Sequence, residues 1–557
     1  MTTIFRKITL LGMLLCLSLY ASAATPEAEY KKLEKTWTLH ADGSQEYRCS
    51  MALTLYTHAA MNETYGESFI VYNPLYQELR INASYTEQKD GTIVDTPANA
   101  FVEVLPKNAA DAPAFNHLKE MVVVHTGLEL GATIYLDYTI ESKAGYLPEV
   151  DIFERLQEIS PIRHYSLTVQ VPVDKKLHYT LANSRAKATV KSEDGMTTTS
   201  WKLQNVPALT PASFLNLSQG DIPYLAATTY PSAAAALQTL AQQIGQPASM
   251  GFAGDNTASE ADRLQAILSH VNTHIDTNML SLEATGYRLR PVQQVWQSAF
   301  GTMAEKSVLL MSVLKKEGFD ARLMASYPVD AEQGLGLKAV DHLYVAVNGK
   351  YLIDVDSKYS PQGVLFGQRP LYDVQSGQKN TDFISSDYQI ESKQDLSIHD
   401  GKTTVTARHH AGKALVPYFA KTDWTEESAE SIEQHNGYAT LVLQENAYAF
   451  SHRPYIKLNS RRDVNLLLPR LVDETYTYTI ECPENLQLCT PQTDENIRNA
   501  AGETTLSVKR DGNKIVVTRS LKLNKQLYTP SEYKQLRRLL ASWGDVNGRT
   551  LLFAEIR

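Results

Sequence analysis

Cysteine is scarce in this chain of 557 residues, which contains only 4. Beyond the N-terminal segment the thiols are Cys49, Cys482 and Cys489, too few for a disulfide-rich scaffold or for the paired cysteines of a structural zinc site. Cys482 and Cys489 lie close together around Pro483, so in an oxidising compartment a local disulfide and two unpaired buried thiols are both compatible with the sequence. Cys49 lies in an alternating, strand-like segment, which indicates a buried structural thiol.

Excess positive charge and long apolar runs are also missing. The net charge is -9, which argues against nucleic acid and anionic membrane surfaces as partners. After the N-terminal segment, no run approaches the roughly 20 apolar residues that a membrane helix needs, so we expect no membrane span. No phosphate-binding glycine loop is present, and we expect neither a cofactor nor a metal.

Residues 1–23 have the order of a secretory signal peptide. Arg6 and Lys7 are followed by an apolar run over residues 8–20 and by small residues just before Ala24. The apolar run is too short to span a bilayer. We therefore expect cleavage near Ala23 and a periplasmic or secreted protein.

The length predicts several domains, and changes of pattern divide the chain. Residues 24–228 consist of short alternating runs separated by turn residues, as is typical of an all-β sandwich. Residues 229–380 open with helical patterns and continue with strand patterns, whereas residues 381–557 return to alternation and close with an amphipathic helix that begins near Thr529. The expected fold class is multidomain α+β: an N-terminal all-β sandwich, a central α+β domain, and a C-terminal β-domain with a terminal helix.

The best-defined element in the sequence follows Gly301. Thr302 and Glu305 have the spacing of a capping box, an apolar stripe comes next, and Gly318 ends the helix. Strand patterns follow at residues 321–326, 342–348 and 351–355. The last two are joined by an Asn-Gly pair, which is a strong hairpin signal. A capped helix followed by antiparallel strands is therefore predicted.

Three runs in this region form a recognisable set. They are WQSAFGTMAEKSVLL at residues 296–310, DHLYVAV at 341–347 and YLID at 351–354. Together they resemble the catalytic helix and strands of the transglutaminase-like superfamily, which has a papain-like cysteine protease fold. The flanking regions are similar to the β-rich domain of unknown function and the C-terminal β-domain of exported bacterial members.

The resemblance implies a papain-like α+β domain with a thiolate, a histidine and an aspartate at its site. His342 and Asp354 match the histidine and the aspartate. In the superfamily the nucleophilic cysteine stands two residues after the glycine that precedes the helix, and here that position is Met303. A thioether has no proton to lose, so it cannot form an acyl-enzyme. We interpret the protein as a catalytically impaired relative whose cleft is retained for a peptide, cell-wall or glycan ligand.

Two other interpretations stay open. The protein is an active periplasmic protease, amidase or transamidase of the same superfamily with an unrecognised nucleophile, or the β-domains bind the ligand and the middle domain is a spacer. Trp296 and Gln297 are candidate cleft residues, with packing as the favoured role of the tryptophan. His270 and His274 have the i and i+4 spacing of metal ligands, but they lack an obvious third ligand, so structural or solvent-exposed histidines are expected.

Overall fold

The computed structural model describes most of the chain beyond residue 25. The described residues are 26–210, 212, 215, 222–255, 257–349, 351–355, 370–380, 387–399, 401–412, 423–446, 450, 461–468 and 471–556. The predicted signal peptide lies outside them.

The expected fold class is wrong. Strands hold 47% of the described residues and helices only 17%, so the chain has a β-rich multidomain fold and not a multidomain α+β fold with a central α+β domain. The helical patterns are confined to short segments. The alternating residues elsewhere extend into strands of up to 13 residues that assemble into broad sheets.

The helices lie mainly in the middle of the chain. They are α1 Ala233–Ala241, α2 Glu260–His274, α3 Val292–Ser298, α4 Met303–Lys316 and α5 Pro530–Trp543. Single helical turns occur at Ala60–Thr64, Ala98–Ala100, Lys107–Ala109, Pro113–Phe115 and Val546–Arg549. The predicted capping box of α4 is confirmed, and Gly318 follows the helix with φ +87°. Within the described ranges, no helix has the length and apolar character needed to cross a membrane.

The N-terminal part is a set of sheets. Its strands are β1 Ala28–Leu39, β2 Gln45–Leu55, β3 Glu67–Tyr72, β4 Gln77–Glu87, β5 Ile93–Asp95, β6 Phe101–Val104, β7 Lys119–Val124, β8 Thr133–Ser142, β9 Asp151–Arg155, β10 Ile162–Pro172, β11 His178–Ala182, β12 Thr189–Glu193, β13 Met196–Val206 and β14 Tyr224–Thr228. The main sheet has the order β12-β13-β10-β1-β2-β8-β4-β5, with β1 and β10 parallel. Two smaller sheets have the orders β3-β7-β6 and β11-β14-β9.

The middle part combines α1 to α4 with short strands. These are β15 Asp276–Asn278, β16 Phe300–Thr302, β17 Ala321–Ser326, β18 His342–Val347, β19 Tyr351–Ile353, β20 Leu371–Asp373 and β21 Lys379–Asn380. β17, β18 and β19 confirm the three predicted strands, and they form the antiparallel sheet β19-β18-β17-β20-β21. Helix α4 packs against β17 and β18.

The C-terminal part has a sheet with the same central arrangement as the N-terminal one. Its strands are β22 Asp387–His399, β23 Lys402–Gly412, β24 Asp423–Ser431, β25 Glu433–His435, β26 Tyr438–Val442, β27 Leu466–Leu467, β28 Leu471–Glu481, β29 Leu486–Leu488, β30 Thr493–Asn499, β31 Gly502–Asp511, β32 Lys514–Leu523, β33 Leu527–Tyr528 and β34 Thr550–Glu555. The main sheet is β24-β23-β22-β28-β32-β31-β30, with β22 and β28 parallel; β25-β26-β34-β29 and β27-β33 are smaller. Helix α5 docks on this part through Tyr533, Leu536, Leu540 and Trp543, as its apolar face predicts.

The hydrophobic core around α4 extends into the N-terminal part. Tyr224 and Ala226 of β14 belong to this core, and Phe153 of β9 packs against it. Leu225 and Ala227, the intervening residues of β14, belong to the N-terminal core instead. The sheet β11-β14-β9 therefore has one face in each core, and both faces support the region described next.

Candidate functional site

The start of α4 is fixed by a buried acid. Glu305 is 1% exposed, and its Oε2 accepts a hydrogen bond from the backbone N–H of Thr302 at 2.9 Å. The backbone N–H of Glu305 donates to Thr302 Oγ1 at 3.3 Å, which completes the capping box. Arg290 adds two bonds, from Nε to Oε1 at 2.9 Å and from Nη2 to Oε2 at 2.8 Å. The helix therefore begins at one defined residue, Met303.

Met303 is half-buried and packs against the core that includes Leu343. One turn later, Ser307 Oγ donates a hydrogen bond to the carbonyl oxygen of Leu343 at 3.0 Å. Residues four apart share a helix face, so the first turn of α4 lies beside the beginning of β18. The free backbone N–H groups and the partial positive charge at such a helix start favour an anion.

His342 and Asp354 are joined by a hydrogen bond. His342 Nε2 and Asp354 Oδ1 are 3.0 Å apart, and the two side chains are 15% and 10% exposed. β18 pairs with β19 so that Val345 lies opposite Ile353. His342, the first residue of β18, and Asp354, which follows β19, therefore lie at the same end of the sheet. When the carboxylate accepts the Nε2–H, the imidazole is held in one orientation and Nδ1 becomes the proton acceptor. The ring of Tyr344 contacts the His342 ring at 4.3 Å between centroids.

Ser326 is a neighbour of His342 that the sequence did not single out. In the register of β17 and β18 the two residues are direct partners, so their side chains lie on one face of the sheet. Ser326 is 1% exposed and its Oγ has no hydrogen-bond partner, although buried hydroxyls normally have one. The sequence did place Ser326 at the end of a strand. Only the register between two strands puts it opposite His342.

Trp296 stacks on the two histidines of α2. Its ring lies 3.8 Å from the His274 ring and 5.0 Å from the His270 ring, nearly parallel to both. The i and i+4 histidines thus form a stacking surface for the tryptophan, which supports a packing role for all three. Gln297 is exposed. In the part of the chain that the structure describes, no three His, Cys, Asp or Glu side chains are grouped to hold a metal ion.

Cys482 and Cys489 are free thiols, so the candidate disulfide is not formed in this structure, and only Cys482 is buried. The reason is that the two residues pair with different sheets. The backbone N–H of Cys482 donates to Asn513, beside β32, whereas that of Cys489 donates to Leu552 of β34. Cys49 is buried in β2, and burial raises the pKa of its thiol, which agrees with a structural role.

Comparison with solved structures identifies the protein family. A protein of Parabacteroides distasonis described as a "putative protease" is 39% identical to this chain, with a TM-score of 0.80 over 95% of this chain and 99% of that protein. The chain belongs to the family of that protein. It is thus a protease-like family member in which α1 to α4 and the five-stranded sheet carry the candidate site.

Two domain families match the flanking parts. Both are described as domains of unknown function with a solved structure: DUF3857 matches residues 41–210 and DUF3858 matches residues 439–553. An M1 zinc metallopeptidase of Deinococcus radiodurans aligns over 52% of this chain and 63% of its own, at 10% identity and a TM-score of 0.18, which is too low to support any argument. No curated protein matches the chain.

Proposed function

We propose that this member of the protease-like family has a transglutaminase-like site that has lost its nucleophile at Met303 and binds a peptide, cell-wall or glycan ligand without cleaving it. The observation that carries the proposal is the 3.0 Å bond between His342 and Asp354, together with the packing of α4, whose capped first residue is Met303, against β18. The resemblance of residues 296–310, 341–347 and 351–354 to the superfamily assigns Met303, His342 and Asp354 to the nucleophile, histidine and aspartate positions.

The remaining parts of the site suit acyl transfer if a thiol is supplied. A cysteine at the first residue of α4 would lie at the positive end of the helix, which favours the thiolate. An imidazole oriented by Asp354 would take the thiol proton and return it to the leaving group. Met303 offers neither the proton nor the anion, so the sequence of steps cannot begin.

Three serines near this part of the chain are badly placed to replace it. Ser307 is fully buried and its hydroxyl is bonded to the carbonyl of Leu343. Ser298 bonds to Arg290 and to backbone carbonyls at the end of α3. Ser326 faces the same side as His342, but it is too deeply buried for a substrate to reach. These contacts support the noncatalytic proposal.

The test replaces Met303→Cys in the purified mature protein and adds His342→Ala to the same variant. We expect the introduced thiol to react with iodoacetamide with a pKa well below the usual value of about 8.5, because both the helix start and His342 stabilise the thiolate. The double variant should have a higher thiol pKa. Thiol-dependent hydrolysis of peptides or incorporation of amines should appear only in the single variant.

Two results would overturn the proposal. If the thiol pKa in Met303→Cys does not respond to His342→Ala, the two positions do not form one site. If the unmodified protein already hydrolyses peptides and His342→Ala abolishes this activity, the protein is an active protease. The description of the Parabacteroides relative favours this second candidate, so the unmodified protein must be assayed beside the variants.

We also propose that the protein is exported, on the basis of the signal-like order of residues 1–23. Expression of the full chain in a Gram-negative host should place it in the periplasm or medium with Ala24 as its first residue. N-terminal mass spectrometry of each cell fraction measures this. An uncleaved chain retained in the cytoplasm would contradict it.

A further inference from the structure

Strand β3, Glu67–Tyr72, forms one edge of the small sheet β3-β7-β6. Just before it, the backbone N–H of His125 donates to the carbonyl oxygen of Gly66 at 3.0 Å, and the register of β3 with β7 continues from this pair without a bulge. In an antiparallel pair, alternate residues direct both backbone groups to the neighbouring strand, and the residues between them direct both groups away from it. Counting from Gly66, the N–H and C=O groups of Phe69 and Val71 point away from β7.

This edge of β3 is apolar and uncovered. In the described chain no strand pairs with it, and Phe69 and Val71 are 58% and 42% exposed. Edge strands are normally protected by charged residues, proline, a bulge or short length. The two edges of the C-terminal main sheet, β24 and β30, are rich in charged residues, whereas β3 has only Glu67, at its start, and no proline. We therefore expect a partner to cover β3.

A cavity of about 520 Å³ lies beside β3, between the N-terminal sheets and the middle part of the chain. Its lining includes the five consecutive residues 69–73, as expected when the edge of the strand, and not one face alone, borders the cavity. Trp37, Tyr47 and Tyr138 of the main sheet also line it. Their ring centroids are 5.4 Å apart for Trp37 and Tyr47 and 6.1 Å apart for Tyr47 and Tyr138, which provides an aromatic wall for apolar side chains.

The charge of the cavity lining favours a basic ligand. The lining contains six acidic residues and two lysines. Two more lysines, Lys35 and Lys175, pair with the lining acids Glu154 and Glu149 at 3.1 Å and 3.0 Å. Even with these two lysines included, carboxyl groups outnumber lysines by six to four. An acidic ligand would meet repulsion here, and a basic one attraction.

We propose that β3 binds an extended basic segment of a partner protein, which adds a strand to the free edge along this cavity. The outward backbone groups of Phe69 and Val71 pair with the backbone of the segment. Main-chain hydrogen bonds supply the affinity in this kind of recognition, and contacts to alternate side chains supply the selectivity. The lining does not include Met303, His342 or Asp354, so this site goes beyond the proposed function.

Calorimetric titration of the purified mature protein tests the inference. The probe is the peptide Val-Lys-Val-Lys-Val-Lys-Val with blocked ends, which alternates apolar and basic side chains as a strand does. One control peptide carries a methyl group on every backbone nitrogen, so it cannot donate to β3. The other replaces each lysine with glutamate. We expect the probe to bind and each control to bind at least about tenfold more weakly.

Two variants at one position separate the backbone from the side chain. Val71→Pro removes the outward N–H, and proline is tolerated at an edge position whose N–H does not serve the sheet. Val71→Ala removes most of the side chain and keeps the N–H. Affinity for the probe should fall about tenfold or more in Val71→Pro and by less than about threefold in Val71→Ala. Circular dichroism confirms that both variants are folded.

Several results would overturn the inference. The probe fails to bind at millimolar concentration, either control peptide binds as well as the probe, or the two Val71 variants lose affinity equally. Loss of probe binding in His342→Ala would place the peptide in the cleft of the proposed function instead. Sedimentation that shows a dimer, converted to a monomer by Val71→Pro, would mean that a second copy of the chain covers β3.

Discussion

The guanidinium of Arg290 donates two hydrogen bonds to the carboxylate of Glu305, with N–O distances of 2.9 Å and 2.8 Å, and the Glu305 side chain is completely buried. Glu305 also accepts from the backbone N–H groups of Arg290 and Thr302. One acid therefore fixes the end of the preceding loop and the first turn of α4. The position of Met303 depends on it.

Replacing Glu305→Gln should lower the free energy of unfolding by about 3 kcal/mol, because it leaves a partly buried guanidinium without its counter-charge. Urea unfolding followed by tryptophan fluorescence measures the change. Glu317→Gln, at the partly exposed C-cap of the same helix, is the control and should change the stability by less than about 0.5 kcal/mol. Equal losses in the two variants would mean that the pair does not stabilise the helix start.

Two buried serines in this region should respond oppositely to alanine. Ser326→Ala removes a hydroxyl without a partner, so we expect stability to stay constant or to rise by up to about 1 kcal/mol. Ser307→Ala removes the bond to the carbonyl of Leu343 and should cost about 1 kcal/mol. Thermal unfolding measures both. If Ser326→Ala instead abolishes a hydrolytic activity of the unmodified protein, then Ser326 is a nucleophile and the proposed loss of catalysis is refuted.

Trp296 and Gln297 are adjacent in sequence but have different surroundings. Trp296→Ala should destabilise the protein by roughly 2 kcal/mol, less than for a fully buried aromatic residue, because it removes the ring stacked on His270 and His274. Gln297→Ala should be within about 0.5 kcal/mol of the unmodified protein. Chemical denaturation compares the two. A stable Trp296→Ala variant would argue against the packing role.

The buried carboxyl of Asp151 should make stability depend on pH. Burial raises its pKa to about 7, above its ordinary value near 4, although the Lys338 backbone N–H and charge oppose the shift. Other titratable groups near it are Glu283, Tyr230, Tyr287 and Tyr327. Because the native state then binds more protons than the unfolded state, this contribution should fall between about pH 4 and about pH 7, by up to roughly 4 kcal/mol.

The measurement is the unfolding midpoint of the unmodified protein and of Asp151→Asn across that pH range. The difference between the two should favour the variant increasingly as pH rises and then level off above about pH 7. A constant difference would show that Asp151 titrates as it does in the unfolded chain. Asp473→Asn, on a partly exposed strand position of the C-terminal sheet, serves as the control.

Cys49, Cys482 and Cys489, the cysteines of the described residues, should differ in reactivity. Cys489 is exposed, whereas Cys49 and Cys482 are buried and burial raises the pKa of both of these thiols. Ellman's reagent should therefore modify one thiol quickly in the native protein and the others only after denaturation. Cys489→Ser should abolish the fast reaction. Absence of a fast thiol, restored by reductant, would instead show that Cys482 and Cys489 form a disulfide in solution.

The local features of the candidate site were predictable from sequence. The capping pair Thr302 and Glu305, the glycine after α4 and the strands that begin at His342 and Tyr351 depend on residues near one another in the chain. The hydrogen bond between His342 and Asp354 joins two of the positions that the resemblance selected. Their catalytic assignment stays a prediction.

The features that the sequence did not reveal depend on distant residues. Ser326 meets His342 only through strand register, and Trp296 meets α2 only through helix packing. The fold class was wrong for a related reason. The helical patterns were distinctive over one part of the chain, while the extent of the sheets depends on pairings such as β1 with β10 and β22 with β28, which are far apart in sequence.

The sheet β11-β14-β9 limits where relatives of this protein can exchange segments by recombination. Tyr224 and Ala226 are part of the core around α4, while Leu225 and Ala227 are part of the N-terminal core, so successive positions along β14 are constrained by alternate cores. Exchanging residues 229–380 between relatives would separate that core from its own strand. Chimeras that exchange residues 26–380 together should fold, because they keep β1 with β10 and β14 with both cores, whereas those joined at residue 228 should not. Recombination within this family would therefore preserve the N-terminal and middle parts as one heritable unit.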